Sequence, residues 1–598
     1  MAYNKKVKNI LFYYTILQKG CARVKKLLKY LKPYTKECII SPLFKLLEAV
    51  FDLLVPLVVK TIIDDGISVG NKNVIGSCFG ILVAFAAVGL ACSLVAQYFA
   101  ARAAVGVSTD LRRDLFAHIQ KFSYAQTDSV GTSTLITRLT GDVNQVQSAV
   151  NFTLRLLLRS PIIVLGAAAM AFAVDAKGAW VFAVIIPLLA VIVFSIMLKT
   201  NPLYRRVQKN LDGVTGVVRE NLLGVRVLRA FRKEKDEIAR FDAVNEEHNR
   251  VQNFAGRISA LMNPLTLVVV NAGVIVLLAS GAKFVEIGNM SQGDVVALTN
   301  YMAQILVELV KFAMTVFTVS KALASADRVQ AIFDTPVGME TLDDVKTYGD
   351  ANDAVRFENV SLTYAGDAEA TLSNISFVAP RGATVGIIGS TGSGKTSLIN
   401  LIPRFYEATE GRVFINGRDV KSLDVESLRG RIAVVPQKAV LFSGTVRSNL
   451  SWGKADATDE EMWQALDWAQ AKEFVMQKNG LDEPVSAGGK NFSGGQRQRL
   501  TIARALIRGA EILILDDSSS ALDYATDAAL RAALHTIPNS PTVFIISQRT
   551  SSIRHADLIL VMEDGHLVDQ GKHDELLDRC EVYREIHESQ FQKGGETV

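Results

Sequence analysis

GSTGSGKT, at residues 389–396, decides the fold of the second half of the chain. It follows an apolar segment, Thr384 to Ile388, that predicts a buried strand, and it precedes a helical pattern that begins at Ser397. Glycines at this spacing let backbone N–H groups curl around phosphate, and the lysine neutralises charge on the β- and γ-phosphates. We therefore predict a phosphate-binding loop in an α/β domain. Its predicted binding residues are Gly389, Ser390, Thr391, Gly392, Ser393, Gly394, Lys395, Thr396 and Ser397.

A second predicted strand supplies an acid to the same domain. Residues 512–515 are all isoleucine or leucine, which predicts a buried strand, and Asp516 follows it directly. An aspartate in this position can support a Mg²⁺ ion that the hydroxyl of Thr396 binds. A turn-capping role is the alternative for Asp516, and it becomes the weaker one beside a complete loop. The two strands together predict a site for a nucleotide with Mg²⁺.

Composition separates the chain into an apolar half and a soluble half. Of its 598 residues 49% are hydrophobic, the mean hydropathy is +0.23, and the apolar residues concentrate before about residue 320. The five cysteines show no CxxC pair, so neither a disulfide framework nor a zinc site is predicted. We expect a membrane domain followed by a soluble domain.

The formal net charge of +5 is small, but basic residues concentrate at the N-terminus. They are Lys5, Lys6, Lys8, Lys19, Arg23, Lys25, Lys26, Lys29 and Lys32. A nucleic-acid partner is the rival interpretation of such a cluster, and the apolar spans that follow favour a cytoplasmic membrane surface instead. The amphipathic stretch Val24 to Tyr34 predicts an interfacial helix, with a plain solvent-facing helix as the alternative. We expect no nucleic-acid partner and no cleavable signal peptide.

Six stretches are apolar and long enough to cross a bilayer, which needs about 20 helical residues. They are Cys38 to Ile63, Val74 to Val105, Val150 to Val174, Ala179 to Lys199, Leu261 to Phe284 and Val295 to Val319. An even number places both termini on one side, the cytoplasm if the basic N-terminus is inside. Residues 106–149 and 200–260 are polar and helical in pattern, which predicts long cytoplasmic extensions of the helices.

Several charged residues fall inside the predicted spans. They are Lys45, Glu48, Asp52, Arg155, Arg159, Glu308 and Lys311. Charges are costly in a bilayer, so each is a candidate functional residue. Ion pairing between helices and the lining of a polar transport path remain equal alternatives.

At this point the chain resembles ABC transporters, specifically exporter half-transporters with six membrane helices and one nucleotide-binding domain, from about residue 24 to 590. The most specific feature is FSGGQ, which is similar to the LSGGQ signature of the family. The resemblance implies that these residues cap the γ-phosphate of ATP bound to a partner's loop. They are Phe492, Ser493, Gly494, Gly495 and Gln496.

Further residues match the family one by one. Tyr364 looks like the aromatic residue that stacks on adenine, and Gln437 looks like the loop glutamine that contacts Mg²⁺ and senses the membrane domain. The resemblance thus implies ATP and Mg²⁺ as cofactors, with Thr396, Gln437 and Asp516 at the metal. A dimer-contact loop is implied at Ser520, Ala521, Leu522 and Asp523.

The chain departs from the family at two catalytic positions. Asp517 stands where the family has a glutamate that polarises the attacking water, and its side chain is one methylene shorter. Gln548 stands where the family has the switch histidine, and glutamine cannot carry imidazolium charge. These two losses resemble the degenerate subunit of heterodimeric exporters. A homodimer that hydrolyses slowly and an ATP-gated channel or sensor remain the alternatives.

The sequence therefore predicts a helical transmembrane domain followed by an α/β P-loop ATPase domain with a helical subdomain. Expected bounds are 1–35 for the N-terminal segment, 36–325 for the membrane domain, 326–354 for a linker and 355–598 for the nucleotide-binding domain. The expected function is ATP-dependent export of an amphiphilic drug, lipid or peptide, as one subunit of a heterodimer in the cell membrane. The expected partners are a second half-transporter, the lipid bilayer and the small amphiphilic substrate.

Overall fold

The computed structural model describes residues 26–337, 339, 353–364, 369–518, 520–538 and 540–591. The chain divides into two compact units, and the expected N-terminal segment is described only from residue 26. The first unit comprises residues up to Gln120 together with Ser133–Pro336, and the second comprises Lys121–Thr132 together with Val337–Val598. Sequence analysis did not anticipate that the short segment Lys121–Thr132 groups with the second unit.

Long helices build the first unit. A 3-10 helix, Leu28–Tyr34, leads into α1, and a π-helical turn at Ile62–Ile67 follows α1. The helices are α1 (Thr35–Thr61), α2 (Lys72–Ile119), α4 (Thr132–Val174), α5 (Ala176–Ala230), α6 (Glu234–Glu286) and α7 (Gln292–Phe333). Helix α4 contains two π-helical segments, Arg138–Asp142 and Thr153–Leu157, and Leu261 interrupts α6.

Helix length confirms the predicted helical extensions. Helix α2 has 48 residues and α5 has 55, so at about 1.5 Å per residue each far exceeds a bilayer core of about 30 Å. Helix α7 runs to Phe333, so residues 326–333 are helical and not the linker that the sequence suggested. The reason is packing, because Ala326, Val329 and Ile332 are buried in this unit.

Five of the described helices are long and apolar enough to cross a membrane: α2, α4, α5, α6 and α7. Helix α1 does not belong to this set, because Lys45, Glu48 and Asp52 place three charges near its middle. The first of the six predicted spans therefore stays a prediction.

The second unit contains a six-stranded sheet in the order β12-β11-β3-β10-β9-β6 and a four-stranded sheet in the order β2-β1-β4-β5. The strands are β1 (Asp353–Leu362), β2 (Leu372–Pro380), β3 (Thr384–Gly389), β4 (Glu410–Ile415), β5 (Arg418–Asp419), β6 (Ile432–Val435), β7 (Gly444–Thr445), β8 (Pro484–Val485), β9 (Ile512–Asp516), β10 (Thr542–Ile546), β11 (Leu558–Glu563) and β12 (His566–Gly571). Its first strand begins two residues before the expected boundary.

Helices cover the six-stranded sheet and form a separate helical subdomain. The helices of this unit are α3 (Tyr124–Val130), α8 (Lys395–Leu401), α9 (Val425–Gly430), α10 (Val446–Leu450), α11 (Asp459–Trp468), α12 (Lys472–Met476), α13 (Gly494–Leu506), α14 (Tyr524–Leu534), α15 (Thr550–Ile553), α16 (His573–Arg579) and α17 (Glu581–Phe591). Apolar side chains of α10 to α13 share one core with β6 and β9. The predicted α/β domain with a helical subdomain is confirmed.

Sheet topology places the candidate residues at one edge. Strand β3 pairs in parallel with β10, and β10 pairs in parallel with β9. The carboxyl ends of β3, β9 and β10 therefore lie side by side, which is where open α/β sheets bind ligands. Gly389, Asp516 and Ile546 end these three strands.

Candidate nucleotide-binding site

The phosphate-binding loop joins β3 to α8 through backbone conformations that glycine permits. Gly392 and Gly394 have φ of 89° and 90°, in the left-handed region. A Cβ atom on Gly394 would lie 2.7 Å from Leu372 Cδ2, so this position also lacks room for a side chain. Helix α8 starts at Lys395, and the first N–H groups of a helix remain available to an anion.

Lys395 is 8% exposed and folds back onto its own loop. Its Nζ donates to the carbonyl oxygens of Gly389 (3.0 Å) and Ser390 (2.5 Å) and to Ser393 Oγ (3.2 Å). Burial lowers the pKa of Lys395, and the negative charges of Asp517 and Asp516 oppose that shift. The ammonium is held by neutral oxygens, which phosphate oxygens can replace.

The buried Asp516 faces the helix that follows the loop. Thr396 Oγ1 lies 3.2 Å from each carboxylate oxygen of Asp516. Burial raises the pKa of Asp516, and the hydrogen bond from Thr396 and the charge of Lys395 act against this. The structure thus brings together the hydroxyl and the carboxylate that sequence analysis assigned to Mg²⁺.

Asp517 follows in a left-handed conformation, with φ of 45°, which aspartate tolerates better than most residues. Its Oδ2 lies 3.5 Å from Nε2 of the exposed Gln437, so these two predicted site residues are neighbours. Gln548 lies beyond the adjacent strand β10, and its side chain is exposed. The carbonyl oxygen of Gln548 accepts a hydrogen bond of 2.7 Å from Gln590 Nε2 in α17.

Gln590 is a neighbour of the site that sequence analysis missed. Its Oε1 also accepts from the backbone N–H (3.0 Å) and Oγ1 (3.1 Å) of Thr550, so one amide holds both sides of the loop around Gln548. No sequence motif marks Gln590, because the contact joins residues 42 positions apart.

The signature residues form the start of α13. Ser493 Oγ accepts from the N–H of Gln496 (3.3 Å), and Gln496 Oε1 accepts from the N–H of Ser493 (3.0 Å). This reciprocal cap fixes the exposed serine at the helix N-terminus, with N–H groups directed outward. Phe492 is buried beneath it, and a Cβ on Gly495 would lie 3.1 Å from the carbonyl oxygen of Ala521.

The predicted dimer-contact loop adjoins this cap. Ser520 Oγ donates to the Asp517 carbonyl (2.8 Å), and Leu522 is buried. Asp523 caps α14 by accepting from the N–H of Thr526 (2.8 Å), and this bond together with that from the Thr526 hydroxyl lowers the pKa of Asp523. The signature and the dimer-contact loop therefore form one surface, with its polar groups at helix starts.

Tyr364, whose adenine-stacking role stays a prediction, lies beside the helix that follows the loop. Its hydroxyl donates to Ser397 Oγ (2.9 Å) in α8, and its ring meets that of Tyr406 edge-on at 5.0 Å. One edge of the ring is thus fixed by neighbours within the second unit.

An aromatic contact joins α3 to this unit. The ring of Tyr124 stacks on Phe405 at 4.4 Å, and the Tyr406 hydroxyl donates to Asp128. Sequence analysis treated residues 106–149 as helical extensions and did not separate this short helix, although the capping box formed by Ser123 and Gln126 signals its start.

The charges inside the first unit pair with one another. Arg159 Nη1 lies 2.7 Å from Glu308 Oε1, and its Nη2 lies 2.7 Å from Asp52 Oδ2. Lys45 donates to Glu48 (2.6 Å), so α1, α4 and α7 meet at these groups. Lys311 also lies 3.0 Å from Glu308, whereas Arg155, among the residues that the structure describes, donates only to Asn151 at 3.4 Å. This geometry favours the ion-pairing alternative for all of the charges except Arg155.

A phosphate-binding loop and an acidic strand end, joined in one chain to bilayer-length helices, define an ATP-driven membrane transporter. Comparison with protein families agrees. The model described as "ABC transporter transmembrane region" matches residues 38–309, and the model described as "ABC transporter" matches residues 372–520.

Relatives match this chain over most of its length. An uncharacterized ABC transporter ATP-binding protein of Mycobacterium tuberculosis is 37% identical over 566 residues, covering 94% of this chain and 97% of that protein. The ATP-dependent lipid A-core flippase of Desulfotalea psychrophila is 32% identical over 490 residues, covering 82% and 85%. The chain belongs to the ABC transporter family. It is an exporter-type half-transporter, with one membrane domain and one ATPase domain that drives transport.

A solved structure shows the same fold. The structure of a bacterial Atm1-family ABC exporter with ATP bound has a TM-score of 0.78 and covers 95% of this chain and 99% of its own. Its sequence identity of 23% makes this a likeness of fold.

Proposed function

We propose that this chain is one subunit of a heterodimeric ABC exporter whose own ATP site turns over slowly. One observation carries the proposal: an assembled phosphate-binding pocket beside Asp517 and Gln548, the residues that stand where the family resemblance implies the catalytic glutamate and the switch histidine. Aspartate is too short and glutamine lacks titratable chemistry, so cleavage is impaired while the groups that bind phosphate are retained.

The signature of this chain then serves the second half-transporter. Ser493, Gly494 and Gly495 stand at an exposed, capped helix start, as a group that contacts a γ-phosphate requires. The partner would supply its own loop, glutamate and histidine, and the complex would hydrolyse ATP mainly at that composite site.

Mg²⁺ fits the residues of the pocket. Asp516 lies 3.2 Å from Thr396 Oγ1, within hydrogen-bond distance of a hydroxyl that can bind Mg²⁺, which is the usual place of an acid that supports a metal ligand. Thr396 would bind the ion directly, and Asp516 and Gln437 would position it. When bound, the ion neutralises charge on the β- and γ-phosphates.

We further propose that α1 is a sixth span and that both termini are cytoplasmic. The three charges that exclude α1 by composition are all paired in the structure, Lys45 with Glu48 and Asp52 with Arg159, which removes much of their cost in a bilayer. The basic residues before α1 favour the cytoplasmic side.

The proposed cargo is an amphiphilic drug, lipid or peptide, and the second subunit and the bilayer are the proposed partners. The support is likeness to exporters, including one whose name gives a lipid as its substrate. The composition gives no support to a nucleic-acid partner.

Co-purification tests this proposal. The chain would be extracted from its native membrane in mild detergent, and the bound half-transporter identified by mass spectrometry. We expect a partner with glutamate and histidine at the positions equivalent to Asp517 and Gln548. The reconstituted complex should hydrolyse ATP at least tenfold faster than this chain reconstituted alone.

Equal rates for the chain alone and for the complex would overturn the proposal in favour of a homodimer. Accumulation of a fluorescent amphiphile against its gradient in proteoliposomes is expected of a pump. Equilibration without accumulation would instead identify an ATP-gated channel.

A further inference from the structure

A cavity of about 470 Å³ opens between the N-terminal 3-10 helix and helices α1, α2, α4 and α7. Its volume falls within the range of about 300–1,000 Å³ that is typical of small-molecule sites. Aliphatic side chains form almost the whole wall, apart from two threonines, a cysteine and Lys32. Representative wall residues are Leu27, Leu31, Val107, Ala149, Val150 and Ala322.

This wall suits an apolar occupant. A water molecule needs two to four polar partners, and the cavity offers few. The Thr35 hydroxyl already donates to the Lys32 carbonyl (2.6 Å), which removes one of them. In a membrane protein the surrounding apolar material is the acyl chains of lipids.

The cavity borders an irregularity in helix α4. Thr153 and Leu154 lie in the π-helical segment Thr153–Leu157, and both line the cavity. Segments of this kind occur often at functional sites, because the wider turn costs helix stability and persists where it is needed.

Lys32 is the only charged residue of the wall, and no described residue neutralises it. The acids around the 3-10 helix are already engaged with other groups. Asp114 accepts from Tyr30 (3.0 Å), Asp110 accepts from Tyr34 (3.0 Å), Glu37 pairs with Arg102 (3.4 Å) and Asp334 pairs with Lys26 (2.9 Å). An aliphatic cavity with one uncompensated cation at its edge is complementary to a negatively charged amphiphile.

We propose that this cavity binds one acyl chain of an anionic phospholipid, whose phosphate is held by Lys32. Basic pockets between membrane helices on the cytoplasmic side bind anionic head groups, and each lysine near such a lipid contributes about 1 kcal/mol. The bound lipid joins the 3-10 helix to α4 and α7, so it acts as a structural ligand and is distinct from the cargo.

Native mass spectrometry of the full-length protein in its purified assembly tests this site. The probes are dioleoyl phosphatidylglycerol and, as an uncharged-overall comparison, dioleoyl phosphatidylcholine, each titrated into detergent. We expect one tight phosphatidylglycerol adduct per chain, with weaker binding of phosphatidylcholine.

Two variants distinguish binding of the acyl chain from binding of the lipid head group. Ala322→Phe fills the cavity and should weaken the tight adduct at least tenfold. Lys32→Ala should weaken the affinity for phosphatidylglycerol about fivefold, the factor that corresponds to the contribution of one lysine. It should leave the affinity for phosphatidylcholine unchanged. Lys36→Ala is the matched control, because Lys36 is an exposed lysine four residues on that does not line the cavity, and it should bind as the wild type does.

Several outcomes would overturn the proposal. Equal affinity for the two lipids, or equal losses of affinity in Lys32→Ala and Lys36→Ala, would show that Lys32 does not hold the head group. Unchanged binding in Ala322→Phe would place the lipid elsewhere. A tenfold gain in binding after deletion of residues 2–22 would identify the N-terminal segment of this chain as the occupant.

Discussion

Asp517→Glu combined with Gln548→His should convert the ATP site that we propose to be slow into a fast one. Asp517 Oδ2 now lies 3.5 Å from Gln437 Nε2, immediately after the acid that faces Thr396. Glutamate would advance the carboxylate by one carbon–carbon bond, about 1.5 Å. Because a displacement of about 1 Å can change the rate a hundredfold, we expect Asp517→Glu to raise turnover at this site by about tenfold to a hundredfold.

Backbone conformation predicts a second, opposite effect. The left-handed φ of 45° at residue 517 suits aspartate better than glutamate, and the difference is on the order of 1 kcal/mol. Asp517→Glu should therefore hydrolyse faster and unfold at a slightly lower temperature. Gln548→His should add to the rate by tenfold or more, since a positioned histidine can take part in proton transfer.

The assay is single-turnover hydrolysis in a complex whose partner carries a glutamine in place of its catalytic glutamate, so that only this site reports. Asp517→Asn with Gln548→His is the matched control, because asparagine keeps the size and tolerates the left-handed turn but carries no charge. It should remain slow. A double variant within twofold of wild type, or a control that gains equally, would refute the degenerate-site argument.

Three further predictions follow from other contacts. Ser493→Ala and Ser493→Asn should each reduce turnover of the complex more than tenfold. Asparagine preserves the helix cap, so full activity in Ser493→Asn would show that Ser493 only caps the helix and does not contact the γ-phosphate. Glu308→Leu should destabilise the protein by roughly 1–3 kcal/mol, read as a lower unfolding temperature in detergent, because the buried Arg159 keeps Asp52 but loses one of its two carboxylate partners at 2.7 Å; Lys311→Leu, at the half-exposed edge, should cost far less, and equal effects would contradict the pairing. Because burial lowers the pKa of Lys395, affinity for a fluorescent ATP analogue should fall with rising pH before an ordinary lysine deprotonates, and constant affinity up to about pH 10 would contradict this.

Local motifs were sufficient to predict the individual site residues, but only the sheet topology shows how these residues come together. The loop around Lys395 and the acid at Asp516 are each encoded in fewer than ten consecutive residues, so the sequence alone identified them. The insertion of β10 between β3 and β9 depends on pairing across more than a hundred residues, which periodicity does not report. That pairing is why Thr396 and Asp516 come within 3.2 Å.

In the first unit, too, local sequence predicts some features and tertiary packing decides the others. Glu48 and Asp52 are four residues apart and therefore share one face of α1, but helical spacing cannot select Arg159 as the group that they approach. The selection depends on how α1, α4 and α7 pack. The linker was expected from residue 326, where the apolar span ends, but a helix need not end with its apolar span: Ala326 is a strong helix former, and Ala326 and Val329 are buried in the part of α7 that continues to Phe333.

Binding and cleavage make different physical demands on the second unit, and this difference explains how one site can keep the first and lose the second. Binding needs a shaped backbone and fixed charge, which the glycines at φ near 90° and Lys395 supply. Cleavage needs a carboxylate and a proton carrier whose positions relative to the reacting water are accurate to about 1 Å. Gln590 still fixes the backbone of the loop at residue 548, although the side chain there can no longer titrate. In the proposed heterodimer, an ATP molecule bound here would therefore act through its affinity, by holding two ATPase domains together, and hydrolysis at the partner's site would separate them.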